Sequence, residues 1–224
     1  DQALDADFTT MDESQVRDIF RNYDSLNGGL PMAEEEPSGD QLQALKEIAR
    51  ADRAPYSDFA VWGPFGRRQA KLMKFSASIF VGGEWVTRML HGPINFAMWR
   101  KCWRVYRTAM VMLKICRPGP LDEYEERIRL LDSAFGAKFW GLICKSEDLM
   151  RSEEWERTRR RIEDQRARNS YTQPFDVSAP WSAVIRDSAR NESYWNANVR
   201  DIAMLALTHG GSGAINLVNS STAS

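Results

Sequence analysis

The residue types that most often carry catalysis or bind metals are scarce in this chain. It contains three Cys and two His in 224 residues, and neither His91 nor His209 has a partner at a metal-ligand spacing. No glycine-rich phosphate loop and no hydrolase elbow motif is present. A Cys–His nucleophile stays open in principle, although no local signature supports it. We therefore predict a non-enzymatic protein with no metal, no cofactor and no evident small-molecule substrate, and keep a cryptic enzyme as an alternative.

One segment has part of the pattern of a calcium loop. Asp24, Gly29 and Glu35 stand at positions one, six and twelve of an EF-hand frame. Positions three and five are Leu26 and Gly28, which supply no side-chain oxygen. Because too few oxygens remain to coordinate Ca²⁺, we interpret the segment as a turn that follows a helix.

Charge and composition limit the class of protein. Lys and Arg number 30 and Asp and Glu 31, for a net charge of -1, so the chain lacks the global basic excess that attracts nucleic acid. No apolar run approaches the ~20 residues of a membrane span, and the acidic start DQALDADF is unlike a signal peptide. The three cysteines predict buried free thiols in a reducing compartment. We expect an intracellular protein, cytoplasmic or nuclear, that is not secreted and contacts no membrane.

Basic residues nevertheless cluster in two places. The segment 151–168 is rich in arginine, but its acids at helical spacing favour a salt-bridged, solvated helix over phosphate contact. A second set has few acids nearby and is the better candidate for a basic face that contacts RNA or DNA phosphates. It consists of Arg67, Arg68, Lys71, Arg100, Lys101, Arg104 and Arg107.

The spacing of apolar residues predicts a mainly α fold, an irregular multi-helix domain with one small β-hairpin at about 75–90. The hairpin alternates on both sides of Gly82-Gly83, which suits a primed turn. Asp12 can cap a first helix, and Ser38 with Gln41 forms a capping box for a helix over 38–51. Further helices are predicted over 95–116, 120–135, 138–169, 181–185 and 195–207.

We divide the chain into three parts on this pattern. Residues 1–36 form an acidic lead-in with a short helix, residues 37–208 form the helical domain with its hairpin, and residues 209–224 form a flexible tail.

The stretch APYSDFAVWGPFGRR (54–68) joins the 38–51 helix to the hairpin. Its four aromatics, Tyr56, Phe59, Trp62 and Phe65, could stack on nucleic-acid bases or pack as a corner. Aromatic platforms for bases usually lie on sheets of several strands, and this chain offers one hairpin. We therefore favour a corner in which the aromatics plug the junction between that helix and the hairpin.

Most of the eight Trp are expected in the core or half-buried. Trp155 lies on the charged helix and is the one we expect to be exposed. With Met150 and Arg159 it forms a candidate partner surface for self-association.

The runs PSGDQLQALKEI, APYSDFAVWGPFGRR and HGPINFAMW carry a family resemblance. The chain resembles, over about 34–207, a multicopy family of uncharacterised dinoflagellate proteins associated with retroelement-like open reading frames. The resemblance implies a gag-like, non-enzymatic role in self-assembly, RNA association or both, and no catalytic residues carry over from it. The chain has no zinc knuckle and no basic tail, the parts that usually supply RNA contacts.

Three functions follow in order of preference. The first is a non-enzymatic structural or assembly module of a retroelement-like protein. The alternative is an RNA- or DNA-binding module that uses a basic helix face, and the second alternative is a cryptic enzyme.

Overall fold

A computed structural model describes residues 11–67 and 73–209 of the chain. It is mainly α with one small hairpin, as predicted. The helices are α1 (Glu13–Asn27), α2 (Gly39–Arg50), α3 (Phe96–Met112), α4 (Pro118–Phe135), α5 (Trp140–Leu149), α6 (Trp155–Ala167), α7 (Trp181–Ala189), α8 (Glu192–Trp195) and α9 (Asp201–His209). The strands are β1 (Lys74–Val81) and β2 (Glu84–His91). Among these helices we find none with the length and apolar character that crossing a bilayer requires.

Local capping explains where the first two helices begin. The Asp12 side chain accepts a hydrogen bond from the backbone N–H of Ser14 at the start of α1. At the start of α2 the Gln41 N–H donates to Ser38 Oγ, and the Ser38 N–H donates to Gln41 Oε1 at 2.7 Å. This reciprocal pair is the predicted capping box, because each side chain satisfies one backbone donor that the helix leaves free.

The hairpin forms where it was predicted and extends one residue further at each end. Gly82 and Gly83 have φ values of 61° and 91°, which side-chain-bearing residues rarely adopt. β1 packs directly on α5, because Gly141 leaves room for it. A Cβ added at Gly141 would lie only 2.4 Å from the Cβ of Ala77.

A chain of stacked aromatic rings forms the centre of the core. Trp103 stacks on Trp99 at 5.1 Å and on Tyr124 at 5.0 Å between ring centroids. Tyr124 in turn makes edge contacts with Trp155 and Trp195. Trp62, Trp99, Trp103, Trp140, Trp181 and Trp195 are buried and Trp85 is half-buried, as predicted. The three cysteines are buried and free, which confirms that part of their prediction, while the reducing compartment stays a prediction.

The prediction of an exposed Trp155 is wrong. Trp155 and Met150 are both fully buried, at 0% exposure. Trp155, Thr158 and Ile162 form a narrow buried stripe on an otherwise polar helix, and α6 packs along α7. Met150 lies in a π-helical turn, Met150–Glu154, that joins α5 to α6 and splits the single helix predicted there.

The corner prediction is confirmed only in part: two of its aromatics pack in the core, but against α3 and not at a junction between α2 and the hairpin. Phe59 and Trp62 are buried against the aromatic side chains of α3, so neither can stack on a base. Tyr106 donates a hydrogen bond of 2.5 Å to the carbonyl of Pro55 and fixes the segment on α3. Phe65 is 49% exposed and plugs nothing, which corrects the prediction for that residue. The corner therefore packs chiefly on α3.

The carboxyl-terminal helices also differ from their predicted bounds. α7 extends to Ala189, and a helical segment begins at Glu192 and continues through a second π-helical turn, Asn196–Arg200, into α9. The tail predicted over 209–224 falls outside the described residues apart from His209, which ends α9.

Candidate nucleic-acid interface

Four of the seven residues of the predicted basic set lie on α3, and three of these four are paired with acids. Arg100 donates to Glu125 at 2.6 Å, and Arg104 donates to Glu35 at 3.0 Å. Arg107 binds both carboxylate oxygens of Asp122, at 2.6 and 3.0 Å. These acids come from α4 and from the turn before α2. Each of these arginines already pairs with a carboxylate. Their side chains therefore connect α3 to α4 and to the turn before α2, and little unpaired positive charge is left for a ligand.

The remaining members of that set do not complete a patch. Lys101 is exposed and forms no ion pair within the described residues. Arg67 is exposed where the Pro64–Gly66 turn ends. Arg68 and Lys71 lie outside the described residues. Phosphate binding by this set stays a prediction.

The predicted partner surface is not brought together as a surface. With Met150 and Trp155 buried, only Arg159 reaches solvent, and its side chain is 19% exposed. Arg159 pairs with Glu156 at 2.7 Å, with Glu163 at 3.0 Å and with Asp52 at 3.1 Å. It ties α6 to the segment after α2, so Met150, Trp155 and Arg159 do not form an exposed surface that a partner could contact.

A basic groove that we did not favour from the sequence lies along the carboxyl-terminal half of α6. We call it the α6 groove; its volume is about 600 Å³. Its walls are Arg157, Arg160, Arg161, Asp164, Gln165, Arg168 and Ser170. Four of these seven residues are arginines and one is an acid, so the groove has an excess of positive charge.

The ion pairs of the helix all involve arginines of its amino-terminal half. Arg157 pairs with Glu153 and Glu154, and Arg160 pairs with Glu156 at 3.4 Å. Arg161 and Arg168 form no ion pair with any described residue. Hydrogen bonds from Arg159 hold the pKa of the Glu156 carboxyl below its usual value. The arginines of the amino-terminal half of α6 are therefore paired with acids. Arg161, in the middle of the helix, and Arg168, just after its end, keep guanidinium donors without a carboxylate partner among the described residues.

The α6 groove sits on a well-anchored helix. Trp155 and Ile162 are buried on the opposite side of α6, and its ion pairs at i+3 and i+4 spacing support a helix that has few apolar residues. An arginine on a rigid helix loses less conformational entropy on binding a ligand than an arginine on a loop does.

A small pocket of about 110 Å³, more enclosed than the α6 groove, lies between the end of β2 and α5. His91, Cys144, Glu147 and Arg151 are among its lining residues, and sequence reasoning did not bring these together. Glu147 and Arg151 are buried, and Arg151 Nε donates to Glu147 Oε1 at 2.6 Å. Burial raises the pKa of Glu147 against the opposing effect of Arg151. Burial also opposes the charge of Arg151, but the charge and hydrogen bond of Glu147 together with the charge of Asp148 keep the pKa of Arg151 above its usual value.

This pocket does not have the chemistry of a Cys–His nucleophile. Burial raises the pKa of the Cys144 thiol well above its usual value, so the sulfur is protonated near neutral pH. Its contact is with the carbonyl of Pro93, at 3.9 Å. Over 11–67 and 73–209, no group of three or more His, Cys, Asp or Glu side chains could hold a metal ion.

Comparison with known proteins adds no relative. No protein-family model, no curated protein and no solved structure matches the chain.

Proposed function

We propose that the protein is a non-enzymatic module that binds the phosphate backbone of nucleic acid through the α6 groove. The observation that carries the proposal is the density of arginine in one groove, with Arg161 and Arg168 outside any ion pair among the described residues. A guanidinium group can donate two parallel hydrogen bonds to a phosphate, which makes arginine the preferred residue for this contact. Asp164 is the one acid in the groove wall and lowers its net charge.

Salt dependence tests the proposal. Each phosphate contact to a single strand contributes about 0.7 to the slope of log affinity against log salt, so the two arginines outside ion pairs predict a slope near −1.4. Affinity for a fluorescent single-stranded RNA or DNA of 12 nucleotides should then fall about sevenfold between 50 and 200 mM salt. The measurement is fluorescence anisotropy on the full chain.

Paired variants locate the contact. Arg161→Gln/Arg168→Gln should reduce the slope by about 1.4. Arg100→Gln/Lys101→Gln, on the face of α3, should leave it unchanged. If the α3 variant alone loses binding, the basic set read from the sequence is the interface and the α6 groove is not. If polyglutamate competes as well as RNA does, the groove has no role particular to nucleic acid.

We propose self-association as a second function, because α9 carries an apolar face without a described partner. Met204, Leu205 and Leu207 are 52%, 45% and 53% exposed within one turn. A helix that is apolar on most sides is usually buried, and the partner we propose is α9 of a second copy. Three exposed apolar side chains are fewer than the ~20–30 residues that each partner contributes to a stable interface, so we expect a weak dimer. This surface takes the place of the one predicted at Trp155, and the retroelement-like assembly role inferred from resemblance stays a prediction.

Light scattering over a range of protein concentrations tests this second function. The apparent mass should rise with concentration for the wild-type chain. Met204→Ser/Leu205→Ser should return it to that of a monomer, while Leu26→Ser, at a 73% exposed apolar residue of α1, should not. A monomer at all concentrations would refute the assembly role for this chain alone.

A further inference from the structure

A second groove lies beside the first along the same helix. We call it the Tyr56 groove; its volume is about 480 Å³. It is lined by Ile48, Arg53, Ala54, Tyr56, Ser152, Glu156 and Arg160. Arg160 also lines the α6 groove, so the two grooves adjoin at this side chain.

The wall of the Tyr56 groove combines apolar and basic character. Ile48, Ala54 and the ring of Tyr56 provide apolar surface, while Arg53 and Arg160 contribute positive charge. Glu156 is the opposing charge; it accepts hydrogen bonds from Arg159 at 2.7 and 3.2 Å and also pairs with Arg160 at 3.4 Å, so Arg53 is the basic residue of this wall outside the Glu156 pairs. The volume is sufficient for a planar ring of nucleobase size.

The Tyr56 ring is held in a fixed position. Its OH donates to Asp148 Oδ1 at 2.9 Å, and the guanidinium of Arg151 lies 5.2 Å from the ring centroid. Arg151 is itself fixed by Glu147 and by the carbonyl of Ser57, at 2.9 Å. Burial and the Asp148 carboxylate raise the pKa of Tyr56 to about 12, so the phenol keeps its proton near neutral pH. A ring fixed in this way is preorganised for stacking.

We propose that the Tyr56 groove accepts a base of a single-stranded nucleic acid, stacked on Tyr56, while phosphates of the same strand contact the arginines of the α6 groove. This inference rests on the proposed function and specifies its ligand. Stacking on an aromatic side chain tolerates any base, because every base has a π-face. Bases of a duplex are already stacked and paired, so the groove should favour single strands over duplexes.

The length of the two grooves sets the size of the ligand. Ser152 in the π-helical turn and Arg168 after α6 are about 24 Å apart along the helix at 1.5 Å per residue. A strand with a rise of 3.4 Å would place about seven phosphates over that distance, and a more extended strand fewer. An oligonucleotide of eight should therefore fill both grooves.

The experiment compares strands and variants by fluorescence anisotropy at one salt concentration. The wild-type chain should bind an eight-nucleotide single strand about tenfold more tightly than an abasic strand of the same length. It should also prefer the single strand to a duplex. A 2-aminopurine base in the strand should change its fluorescence on binding, because stacking quenches it.

Variants separate the base contact from the phosphate contact. Ala54→Trp adds bulk to the groove wall while keeping Tyr56 and its partner Asp148, and should weaken single-strand binding about tenfold while leaving the salt slope unchanged. Ala51→Trp adds the same bulk at an exposed alanine that is not part of the groove wall, and should bind as the wild type does. Tyr56→Leu should resemble Ala54→Trp, and Tyr56→Phe, which keeps the ring, should retain most of the affinity.

The outcomes distinguish this inference from the function on which it rests. Equal affinity for the abasic and the intact strand, or unchanged binding by Ala54→Trp, would overturn the base site. If the Arg161→Gln/Arg168→Gln variant still lowers the salt slope in that case, the proposed function stands. Binding that shows no dependence on salt would overturn both.

Discussion

Replacing Gly141 by alanine should destabilise this protein, although the same change in a helix usually stabilises one. Gly141 lies near the start of α5, against β1. An added Cβ would lie 2.4 Å from the Cβ of Ala77, 3.4 Å from Leu90 Cδ1 and 3.7 Å from the Cα of Ala77. Carbon atoms in ordinary contact are about 3.5 to 4.0 Å apart. The hairpin would therefore have to move away from α5 by more than about 1 Å.

The magnitude follows from two opposing terms. Overpacking of this kind typically costs about 1–3 kcal/mol. We take the upper end, because the obstacle is the Cβ of a strand residue and not the end of a flexible side chain. Alanine gains up to about 1 kcal/mol over glycine from helix propensity. The net loss in the free energy of unfolding is about 2 kcal/mol, which lowers Tm by about 4–8 °C for a chain of this size.

Guanidinium unfolding followed by tryptophan fluorescence measures the loss. Gly29→Ala is the control, since a Cβ there meets nothing within 4 Å and Gly29 does not adopt a positive φ. The control should be neutral or slightly stabilising. Ala77→Gly/Gly141→Ala should lose less than the sum of its single changes, because it removes the obstructing Cβ. If Gly141→Ala is as stable as the wild type, β1 does not pack on α5 as described.

Three further predictions concern buried and charged side chains. Trp155→Ala should lower the free energy of unfolding by about 3–5 kcal/mol, because Trp155 is fully buried. The same substitution at an exposed Trp would leave the free energy of unfolding almost unchanged, and chemical unfolding distinguishes these outcomes. An aromatic disulfide reagent should not react with the native protein at pH 8, because burial raises the pKa of the Cys102 and Cys116 thiols to about 12 and that of Cys144 as well; one fast-reacting thiol before unfolding would contradict this. Hydrogen bonds from Ser178 and Arg117 lower the pKa of Asp176 from 3.8 to about 2. The contribution of Asp176 to stability should therefore be fully present above pH 3.8 and be lost as the pH falls through about 2. An NMR titration of Asp176 with a midpoint near 4 would refute this prediction.

The features that could be predicted from the sequence are those that depend on nearby residues. The Ser38 and Gln41 capping box needs only four consecutive positions, and the Gly82-Gly83 turn needs only two. α3 and α4 were predictable because their apolar residues repeat at helical spacing over four or more turns. In each case local propensity and tertiary packing favour the same structure.

The burial of Trp155 could not be predicted because its neighbours in the sequence are polar, whereas its neighbours in the fold are aromatic. Acids and arginines surround it along α6, but in the fold it contacts Tyr124 of α4. The signal that would have found it is the spacing of Trp155, Thr158 and Ile162, which lie three and four residues apart on one side of the helix. The π-helical turn before α6, Met150–Glu154, shifts the helical register of the buried residues by one position. No local sequence pattern predicts this shift.

The two basic segments show why a count of charges along the chain does not locate an interface. The α3 arginines have few acids near them in sequence, yet Glu125, Glu35 and Asp122, which lie 25, 69 and 15 residues from their partners, neutralise them in the fold. α6 contains many acids in sequence, but most of them serve its amino-terminal half. Since a paired guanidinium must give up its carboxylate before it can bind a phosphate, the half of α6 with fewer pairs would bind a phosphate at lower cost. For this reason we propose the interface on α6, and a salt slope that responds to α3 variants instead would show that pairing does not decide which arginines bind.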